Sequence, residues 1–495
     1  MTAPPAQTLV GWLSAVASAQ ASRPALFGDG HEISYAEMWS RAGGMARYLL
    51  DDAALPAGTR VAIIGANEPA YLEAFLGILR AGHVAVPLNP MLDVASLLAQ
   101  IDLVEASLVV LGDVGADVAE GLISSRRSLS LNVLREQSTP FAGRGKLPSV
   151  RPESAAAIIP TSGSTGVPRG VLHTQATLLH CAQQLSAALP IRPDDRSVAF
   201  LPFFASIPEQ VLPILINGGS IDVVPRFDVD RIAEACKQST CFDAIPTIMG
   251  RLLDEAPIAA LANLRWVSFA SEPMPPSTLR RWHDALPGVQ AHQFYGMTEL
   301  VPATTASHAM LLDDPTTVGI AFPTTLVTQD GESGQLLVRS PAQMRGYYKD
   351  RSASAAAVTE NGSIKTGDLG RIDERGWVYL TGRLKELIIT GGLNVAPAEI
   401  EAVACHHPAV GAAAVVGIPD VRWGETPVVI GVARDGSALT PDMLLSHCRQ
   451  ALKGFKRPSA AGVVDMLPST GIGKIAKNLL RDQIVRGEIT LVRAE

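Results

Sequence analysis

The interpretation of this chain rests on one stretch, Thr161-Ser162-Gly163-Ser164-Thr165-Gly166-Val167-Pro168-Arg169-Gly170. It follows an apolar run over 155–159 that has the length of a short buried strand. Glycine allows backbone N–H groups to turn toward a ligand, and hydroxyl side chains add further donors. The stretch therefore predicts a loop that binds phosphate oxygens. It is not a Walker A loop, because no Lys-Ser or Lys-Thr pair follows its last glycine, and alone it also fits a flexible Ser/Gly turn.

The length and composition of the chain limit the class of protein. A chain of 495 residues is too long for one hydrophobic core, so about three units are expected. Apolar residues make up 47% and charged residues 18%, which is typical of a globular protein. The net charge is −7 and no basic block occurs, which argues against a nucleic-acid partner. No apolar run is long enough for a membrane span.

The cysteines and the N-terminus predict a cellular location. The five cysteines form no CxxC pair, and a chain of this size needs no disulfide bonds for stability. The segment Met1–Gln7 has neither the basic region nor the apolar region of a signal peptide. We therefore expect a protein of the reducing cytoplasm.

Strand-like and helix-like segments alternate over most of the chain. Strands at 61–65, 83–88 and 107–111, with a helix at 68–81, predict a parallel α/β sheet. A second α/β set follows, with predicted helices at 175–188, 207–217 and 229–238 and predicted strands at 198–202, 220–224, 241–245, 266–270 and 290–294. Short strands with turns over 319–381 indicate a small antiparallel subdomain, and an α+β piece begins after about residue 385.

Four further stretches carry chemistry. Tyr295-Gly296-Met297-Thr298-Glu299 follows an apolar strand, where a hydroxyl and a carboxylate can hold a phosphate and Mg²⁺. Thr366-Gly367-Asp368 is predicted to be a tight turn whose carboxylate bridges two ribose hydroxyls. A basic segment that connects two parts of the chain, 382–386, precedes Gly391 and Gly392. A glycine-containing loop at 468–474 ends in Lys474. Singly, these stretches also fit an ordinary turn aspartate and a solvated surface lysine.

In this order and spacing, the five stretches resemble the adenylate-forming superfamily of acyl-CoA synthetases, peptide-synthetase adenylation domains and beetle luciferases. The resemblance covers about residues 9 to 485. It implies an α/β fold: an N-terminal domain, 1–384, of two α/β subdomains plus a small β-barrel-like subdomain, and a mobile α+β C-terminal domain, 385–495. It also implies two half-reactions. A carboxylate attacks the α-phosphate of ATP to give an acyl-adenylate and pyrophosphate, and a thiol then displaces AMP.

The resemblance assigns roles to individual residues for the first half-reaction. Thr298 contacts the α-phosphate, Glu299 holds Mg²⁺, and Lys474 reaches both the carboxylate and the α-phosphate, where a fixed cation offsets developing charge. Tyr295 stacks on adenine, and Arg169 stands where the family usually has a lysine. The implied ATP-binding residues are Thr161, Ser162, Gly163, Ser164, Thr165, Gly166, Arg169, Tyr295, Gly296, Asp368 and Arg383.

The thiol acceptor is less closely defined by the motifs. The resemblance makes Lys385 the hinge of the C-terminal domain, and it places Gly391, Gly392 and Trp423 against coenzyme A. An ordinary linker lysine and a half-buried surface aromatic are the simpler interpretations of Lys385 and Trp423. Coenzyme A is favoured because no carrier domain is fused to the chain. The alternatives are an adenylation enzyme that loads an amino-acid-like acid onto the phosphopantetheine of a separate carrier protein, a luciferase-like oxygenase, and a non-catalytic nucleotide-binding protein.

The implied acyl pocket departs from the family pattern. Its residues are Phe204, Ala205, Asp243, Ser271, Glu272 and Met297. Ala205 replaces a frequent histidine, Glu272 stands where alanine is usual, and Asp243 lies inside an apolar strand. A buried aspartate needs compensation, either from nearby backbone or an arginine, or from an amino group on the acid, as in an aminobenzoate or a β-amino acid. No motif names the small carboxylic acid itself.

Overall fold

A computed structural model describes residues 7–28, 30–143, 145–161, 168–434, 436–468 and 475–494. Contacts divide the chain into two compact units. The first comprises Met1–Val327 and Val338–Ile364, and the second comprises Thr328–Leu337 and Lys365–Glu495. The segment 365–384 therefore groups with the C-terminal part in this division, and the domain boundary near residue 385 stays a prediction.

Helices of the first unit surround its sheets. They are α1 (Leu9–Ala19), α2 (Tyr35–Asp51), α3 (Pro69–Arg80), α4 (Val94–Leu103), α5 (Ala116–Ser125), α6 (Leu131–Ser138), α7 (Gln175–Ala188), α8 (Phe203–Ser206), α9 (Leu212–Ile216), α10 (Val229–Cys236), α11 (Pro246–Glu255), α12 (Ile258–Leu261), α13 (Pro276–Ala285), α14 (His308–Asp313) and α15 (Arg351–Ala356). The second unit contains α16 (Pro397–Cys405), α17 (Pro441–Ala451) and α18 (Lys477–Val485). Short 3₁₀ turns lie at Thr139–Phe141, Leu384–Glu386 and Gly454–Lys456.

Strands occur throughout the chain. Up to residue 347 they are β1 (Pro24–Gly28), β2 (His31–Ser34), β3 (Arg60–Ile64), β4 (Val84–Leu88), β5 (Leu108–Leu111), β6 (Ser128–Ser130), β7 (Ala155–Thr161), β8 (Arg169–Thr174), β9 (Arg196–Ala199), β10 (Ser220–Val223), β11 (Cys241–Ala244), β12 (Trp266–Phe269), β13 (Gln290–Met297), β14 (Leu300–Ala306), β15 (Ile320–Ala321), β16 (Leu326–Gln329), β17 (Gln335–Arg339) and β18 (Gly346–Tyr347). The remaining strands are β19 (Ile364–Ile372), β20 (Val378–Arg383), β21 (Ile388–Thr390), β22 (Leu393–Val395), β23 (Val410–Asp420), β24 (Gly424–Ala433), β25 (Ala460–Val463) and β26 (Val492–Arg493).

Two large sheets form the first unit, and each has a parallel centre. The order is β15-β14-β13-β12-β11-β9-β10-β1-β2 in one and β18-β8-β7-β4-β3-β5-β6 in the other. A four-stranded sheet, β16-β17-β19-β20, curls into a half-barrel. The second unit has the order β22-β21-β24-β25-β26, with β23 paired to β24. These sheets confirm the predicted α/β fold with two α/β subdomains, a small barrel-like sheet and an α+β C-terminal piece.

Local sequence signals begin several of these helices. Ser34 is the N-cap of α2, and its side chain accepts a hydrogen bond from the Glu37 amide at 3.2 Å. Thr174 and Thr177 form a reciprocal capping box at the start of α7. In the packing of α2 against α3, a Cβ at Gly77 would lie 2.9 Å from the Met45 Cβ, so the helices approach closely there. These contacts define where α2 and α7 begin and how closely α2 packs against α3.

One predicted helix, 207–217, is wrong in detail. The chain forms α8, then a π-helical turn over Ile207–Val211, then α9. Pro208 and Pro213 interrupt the segment, and each lacks the N–H that a regular helix needs at its position. The wider π turn accommodates this loss and points Glu209 into the interior of the first unit.

Gly319, directly before β15, tests how tightly β14 and β15 pack. Its φ is +91°, and a Cβ there would lie 1.9 Å from the Thr305 carbonyl oxygen. Gly362 is a matched control, since its φ is +80° and nothing lies within 4 Å. We expect Gly362→Ala to cost about 1–2 kcal/mol from backbone strain alone, and Gly319→Ala to cost at least about 2 kcal/mol more because backbone must move. Urea unfolding of both variants measures the difference, and equal losses would contradict the packing described.

Candidate active site

The β13–β14 hairpin carries the motif Tyr295–Glu299. Met297 pairs with Leu300, so Tyr295, Gly296 and Met297 lie on β13 itself and Thr298 and Glu299 form the turn. A Cβ at Gly296 would lie 2.8 Å from the Leu300 carbonyl oxygen, which explains the glycine at this position. The hairpin therefore places Thr298 and Glu299 next to each other in the turn that joins two neighbouring strands of the nine-stranded sheet.

The Glu299 carboxylate is held in place by a tyrosine that the sequence did not reveal. Glu299 is only 9% exposed, and its Oε1 accepts a hydrogen bond from the Tyr347 hydroxyl at 2.7 Å. The Met344 amide donates to the Glu299 carbonyl oxygen at 2.8 Å. Burial and the charge of Glu299 raise the pKa of the Tyr347 phenol, so it remains a donor at neutral pH. The carboxylate is thus held through Oε1 by this hydrogen bond.

Arg169 contacts the same tyrosine. Tyr347 lies on β18 opposite Val171 of β8, and the Arg169 guanidinium carbon is 5.2 Å from the Tyr347 ring centroid. This distance is within the range of a cation–π contact. Arg169 also pairs with Thr161 across β7 and β8, which closes the two ends of the predicted phosphate loop. The cation beside that loop and the carboxylate of the hairpin therefore meet at one aromatic side chain.

A buried histidine joins the hairpin to β8. The His173 Nε2 lies 2.8 Å from the Thr298 carbonyl oxygen, and its Nδ1 lies 3.3 Å from the Thr177 hydroxyl. Because a carbonyl oxygen only accepts, Nε2 carries the proton. Burial lowers the pKa of His173, although the bond to Thr298 opposes this, so the ring is neutral. His173 thus joins the turn to β8, the strand that follows the predicted phosphate loop.

Several predicted site residues cannot be placed. Ser162, Gly163, Ser164, Thr165, Gly166 and the catalytic candidate Lys474 lie outside the residues that the structure describes. Their roles stay predictions. The residues on either side of each segment are paired through the backbone. Thr161 pairs with Arg169 across the first segment. Across the second, the Ala476 amide donates to the Pro468 carbonyl oxygen at 2.7 Å.

Asp243 of the predicted acyl pocket is buried. It is 4% exposed, and its Oδ1 accepts from the Ser268 hydroxyl at 2.9 Å across β11 and β12. Burial, reinforced by the nearby Glu209 carboxylate, raises the pKa of Asp243 well above its usual range. The Ala244 amide is a further donor, and none of the ion pairs in the described ranges includes Asp243, so no buried arginine compensates it. The side chain lines a narrow interior cavity together with Glu209.

The other predicted acyl-pocket residues lie at the surface of the first unit or near it. Phe204 and Met297 are half-buried, and Ala205 and Ser271 are exposed. The Glu272 carboxylate accepts from the Thr247 amide at 3.2 Å and from its hydroxyl at 2.7 Å. Glu272 therefore binds the first turn of α11, where a negative charge is favourable.

In the second unit, Asp368 and Arg383 form a cross-strand pair. They lie opposite each other on β19 and β20, with Arg383 Nε 3.1 Å from Asp368 Oδ1. The predicted tight turn at 366–368 is wrong, because these residues lie inside β19. The turn-like composition has another cause. Gly367 has a φ of +74°, and the Thr366 hydroxyl accepts from the Asp368 amide at 3.1 Å, so the strand is locally irregular.

The second unit also brings together the predicted coenzyme A residues. Gly391 and Gly392 form the turn between β21 and β22, with φ of +58° and +80°. The Gly391 amide donates to the Trp423 carbonyl oxygen at 2.7 Å, and a Cβ at Gly391 would lie 2.9 Å from the Trp423 ring. The Trp423 side chain is 48% exposed, so part of the ring can accept a stacking ligand.

Lys385 lies in the 3₁₀ turn Leu384–Glu386, next to an ion-pair network that the sequence did not reveal. The Lys477 ammonium, at the start of α18, contacts Glu386 and Glu401 at 2.8 Å each. Burial opposes the charge on Lys477, but both carboxylates together raise its pKa. The network connects the segment of Lys385 to the helix that follows the loop of Lys474.

The chain is similar to proteins of known families. Residues 13–348 match the family described as AMP-binding enzyme, and residues 399–474 match its C-terminal domain. A feruloyl-CoA synthase from Amycolatopsis is 32% identical over 471 residues, which cover 91% of this chain and 94% of the relative. An indoleacetate–CoA ligase from Aromatoleum aromaticum is 30% identical over 504 residues, with coverage of 96% and 98%.

Solved structures agree with these relatives. ATP-bound MatB from Rhodopseudomonas palustris has a TM-score of 0.88 at 28% identity, covering 96% of this chain and 98% of that one. An o-succinylbenzoate CoA synthetase from Bacillus subtilis, in complex with its acyl-adenylate, has a TM-score of 0.86 at 26% identity, with coverage of 95% and 98%. The chain therefore belongs to the AMP-binding enzyme family and is a member of the adenylate-forming superfamily of acyl-CoA synthetase type.

Proposed function

We propose that this chain joins a small carboxylic acid to coenzyme A in two steps. The carboxylate attacks the α-phosphorus of ATP, and the bond to the leaving pyrophosphate breaks. The thiol of coenzyme A then attacks the acyl carbon, AMP leaves and one proton is released. The chain is thus an AMP-forming acid–thiol ligase with ATP and coenzyme A as substrates. The observation that carries the proposal is the contact of both Glu299 and Arg169 with Tyr347.

The residues around Glu299 fit a bound Mg²⁺. Within the described ranges, no cluster of three or more His, Cys, Asp or Glu side chains is arranged to hold a metal ion by itself. Mg²⁺ in nucleotide enzymes is usually bound by one or two carboxylates together with substrate phosphates. Glu299 would offer such a carboxylate, and Thr298 precedes it in the same turn. When bound, Mg²⁺ would offset the negative charge of the phosphates during the first step.

The remaining ATP contacts are assigned by the motifs. Thr161 and Arg169 flank the loop that would hold the β- and γ-phosphates, and Tyr295 would stack on adenine. Asp368 would accept from the ribose hydroxyls while Arg383 holds its orientation. No general base is needed, because a carboxylic acid is already ionised at neutral pH.

The second step requires a change of the residues at the reaction centre. Lys474 would serve adenylation, and the glycine turn at Gly391 and Gly392 with Trp423 would serve coenzyme A. Rotation about Lys385, between a 1–384 and a 385–495 domain, would exchange the two sets. The ion pair between Lys477 and Glu386 joins the start of α18 to the segment of the hinge. Because Lys474 precedes α18 by three residues, we expect it to move together with α18 when the hinge rotates.

Coenzyme A is the acceptor that the relatives support, since feruloyl-CoA synthase and indoleacetate–CoA ligase carry it in their names. A carrier protein is the acceptor in the alternative that the motifs left open. A reducing compartment such as the cytoplasm is part of the proposal, because all five cysteines, each within the described ranges, are free. None of the helices in the described part of the chain is long and apolar enough to cross a membrane.

The whole reaction can be tested with an acid panel. We expect carboxylate- and Mg²⁺-dependent exchange of labelled pyrophosphate into ATP, and formation of an acyl-CoA and AMP when coenzyme A is added. Phosphopantetheinylated carrier protein and a free amine serve as control acceptors in parallel reactions. If no acid of a broad panel supports pyrophosphate exchange, the ligase activity is contradicted. If transfer to the carrier protein is faster than transfer to coenzyme A, the carrier protein is the acceptor.

Lys474→Ala separates the two steps. We expect acyl-adenylate formation to slow by about 10²-fold or more, which is about 3 kcal/mol of lost transition-state charge stabilisation. Transfer from a supplied synthetic acyl-adenylate to coenzyme A should change little. Stopped-flow or quenched measurement of each half-reaction tests this. Lys453→Ala is the control, because Lys453 is an exposed residue of the same unit, between α17 and the 3₁₀ turn Gly454–Lys456. An unchanged adenylation rate would contradict the role of Lys474.

Tyr347→Phe tests the carboxylate clamp. The substitution removes the hydroxyl that donates to Glu299 but keeps the ring beside Arg169. We expect kcat/KM for adenylation to fall about tenfold, the value of one lost charge-assisted hydrogen bond, and the Mg²⁺ concentration for half-maximal rate to rise. Tyr348→Phe is the matched control, because its hydroxyl faces Glu105 at the surface. A fall in rate without a shift in Mg²⁺ dependence would contradict the link between Tyr347 and the metal.

A further inference from the structure

We infer that His173 is a positioning residue of the adenylation step, and that it acts through one N–H bond to the turn of Thr298 and Glu299. The inference deepens the proposed function and rests on it, because these two turn residues are the ones proposed to meet ATP and Mg²⁺. His173 lies on β8, is 5% exposed and belongs to the first unit, as the turn does. Its imidazole is therefore an interior group that acts on the site only through the turn.

The turn takes its hydrogen-bond donors from outside its own hairpin. The paired residues of β13 and β14 end on either side of the turn, so the carbonyl oxygens of residues 298 and 299 lie beyond the ladder. Carbonyl oxygens that are removed from water require a donor from elsewhere. The His173 Nε2 donates to the Thr298 oxygen at 2.8 Å, and the Met344 amide donates to the Glu299 oxygen at 2.8 Å. Each carbonyl oxygen of the turn thus has its own donor.

The bond from His173 restrains both side chains of the turn. The Thr298 carbonyl oxygen belongs to the peptide group that joins Thr298 to Glu299, and a peptide group is planar. A donor that fixes this oxygen therefore fixes the plane, which limits ψ of Thr298 and φ of Glu299. The Tyr347 hydroxyl holds the Glu299 carboxylate at Oε1, at 2.7 Å. His173 and Tyr347 thus act on the same turn, one through the backbone and the other through a side chain.

Only one tautomer of the neutral His173 ring supports this bond. Because a carbonyl oxygen cannot donate, the proton is on Nε2 and Nδ1 is an acceptor. The Thr177 hydroxyl at the start of α7 accepts from the Thr174 amide, and its own proton is within reach of both Nδ1 and the Thr174 carbonyl oxygen, at 3.3 and 3.2 Å. The contact at Nδ1 is therefore the weaker one, and the inference depends on the bond to Thr298.

The three donors to the turn belong to β8 and to the chain segment that pairs with it. Tyr347 lies in β18, which pairs with β8, and Met344 shortly precedes β18. β8 itself begins at Arg169, beside the predicted phosphate loop. A displacement of the turn therefore changes the geometry between the cation proposed for the phosphates and the carboxylate proposed for Mg²⁺. Adenylation requires this geometry, whereas transfer from a finished acyl-adenylate uses neither pyrophosphate nor its Mg²⁺.

Two amide variants separate the contacts of the ring. Glutamine places its amide nitrogen near the position of Nε2, so His173→Gln keeps a donor for Thr298, whereas the shorter side chain of His173→Asn reaches only the position of Nδ1. We expect kcat/KM in pyrophosphate exchange to fall about tenfold in His173→Asn and about threefold or less in His173→Gln. The Mg²⁺ concentration for half-maximal rate should rise in the Asn variant, while KM for the acid changes about twofold or less.

The second half-reaction shows whether the effect is specific. Transfer from a supplied synthetic acyl-adenylate to coenzyme A should change about twofold or less in both variants. If His173→Asn does not fold, His173→Leu takes its place as the variant without a donor. Equal losses in the Gln variant and the variant without a donor, or equal losses in both half-reactions, would mean that His173 has only a general structural role, and would overturn the inference.

A double-mutant cycle tests whether His173 and Tyr347 act on the same turn. If the first change already loosens the turn, the second loses less, so His173→Asn with Tyr347→Phe should lower kcat/KM about 30-fold or less. Independent effects would multiply to about 100-fold, and that result would contradict the inference. Tyr348→Phe is the control for the cycle, because its hydroxyl faces Glu105 at the surface and it should add no loss to His173→Asn.

The tautomer can be observed without any turnover. Nitrogen-15 spectra of protein labelled in its ten histidines, with His173→Gln for assignment, should show a proton on Nε2 of His173 and none on Nδ1. A proton on Nδ1 alone, in an enzyme that still exchanges pyrophosphate, would overturn the inference and leave the proposed function intact. The expected tautomer in a protein that exchanges pyrophosphate with no acid would overturn the proposed function, and with it the step that His173 is inferred to serve.

Discussion

The active centre of the first unit depends on the hydrogen bond between the His173 imidazole and the Thr298 carbonyl oxygen. The two large sheets are separate ladders. The strands β7 and β8, which flank the predicted phosphate loop, belong to one, and the hairpin of Glu299 belongs to the other. The bond from Tyr347 to Glu299 is a second link between them. A neutral, buried imidazole can bridge them because it donates at Nε2 and accepts at Nδ1. A charged residue at this position would need a compensating charge in the same interior.

Much of the fold could be predicted because its signals are local. The strand at 61–65 and the helix at 175–188 are visible in apolar periodicity and in capping residues, and their observed bounds, Arg60–Ile64 and Gln175–Ala188, differ by one residue or none. The order of the motifs was enough to identify the superfamily. The predictions are wrong where proline or glycine changes the backbone inside a helix or a strand. The segment 207–217 contains a π turn instead of a continuous helix, and the residues around Gly367 form an irregular strand instead of a turn.

The parts of the site that could not be predicted are long-range pairings of ordinary residues. Tyr347 lies 48 positions from Glu299 along the chain, and only the pairing of β18 with β8 brings it there. Glu209 meets Asp243 because a π turn rotates it inward, and one sequence contains no signal for that rotation. Lys477, at the start of α18, pairs with Glu386, which lies 91 positions away in a 3₁₀ turn. The chemistry of a side chain could be predicted where its motif is contiguous in the sequence. It could not be predicted where the fold brings together residues that are far apart along the chain.

The arginine at position 169 can be understood from these pairings. A lysine at this place would act as a mobile point charge, whereas a guanidinium is planar and stacks on aromatic rings. Tyr347 supplies such a ring and at the same time donates its hydroxyl to Glu299. The cation that we propose for the phosphates and the carboxylate that we propose for Mg²⁺ are therefore both in contact with one residue. A lysine at position 169 would lose the stacking of a planar guanidinium on the Tyr347 ring. The presence of arginine at 169 is therefore explained by the presence of tyrosine at 347.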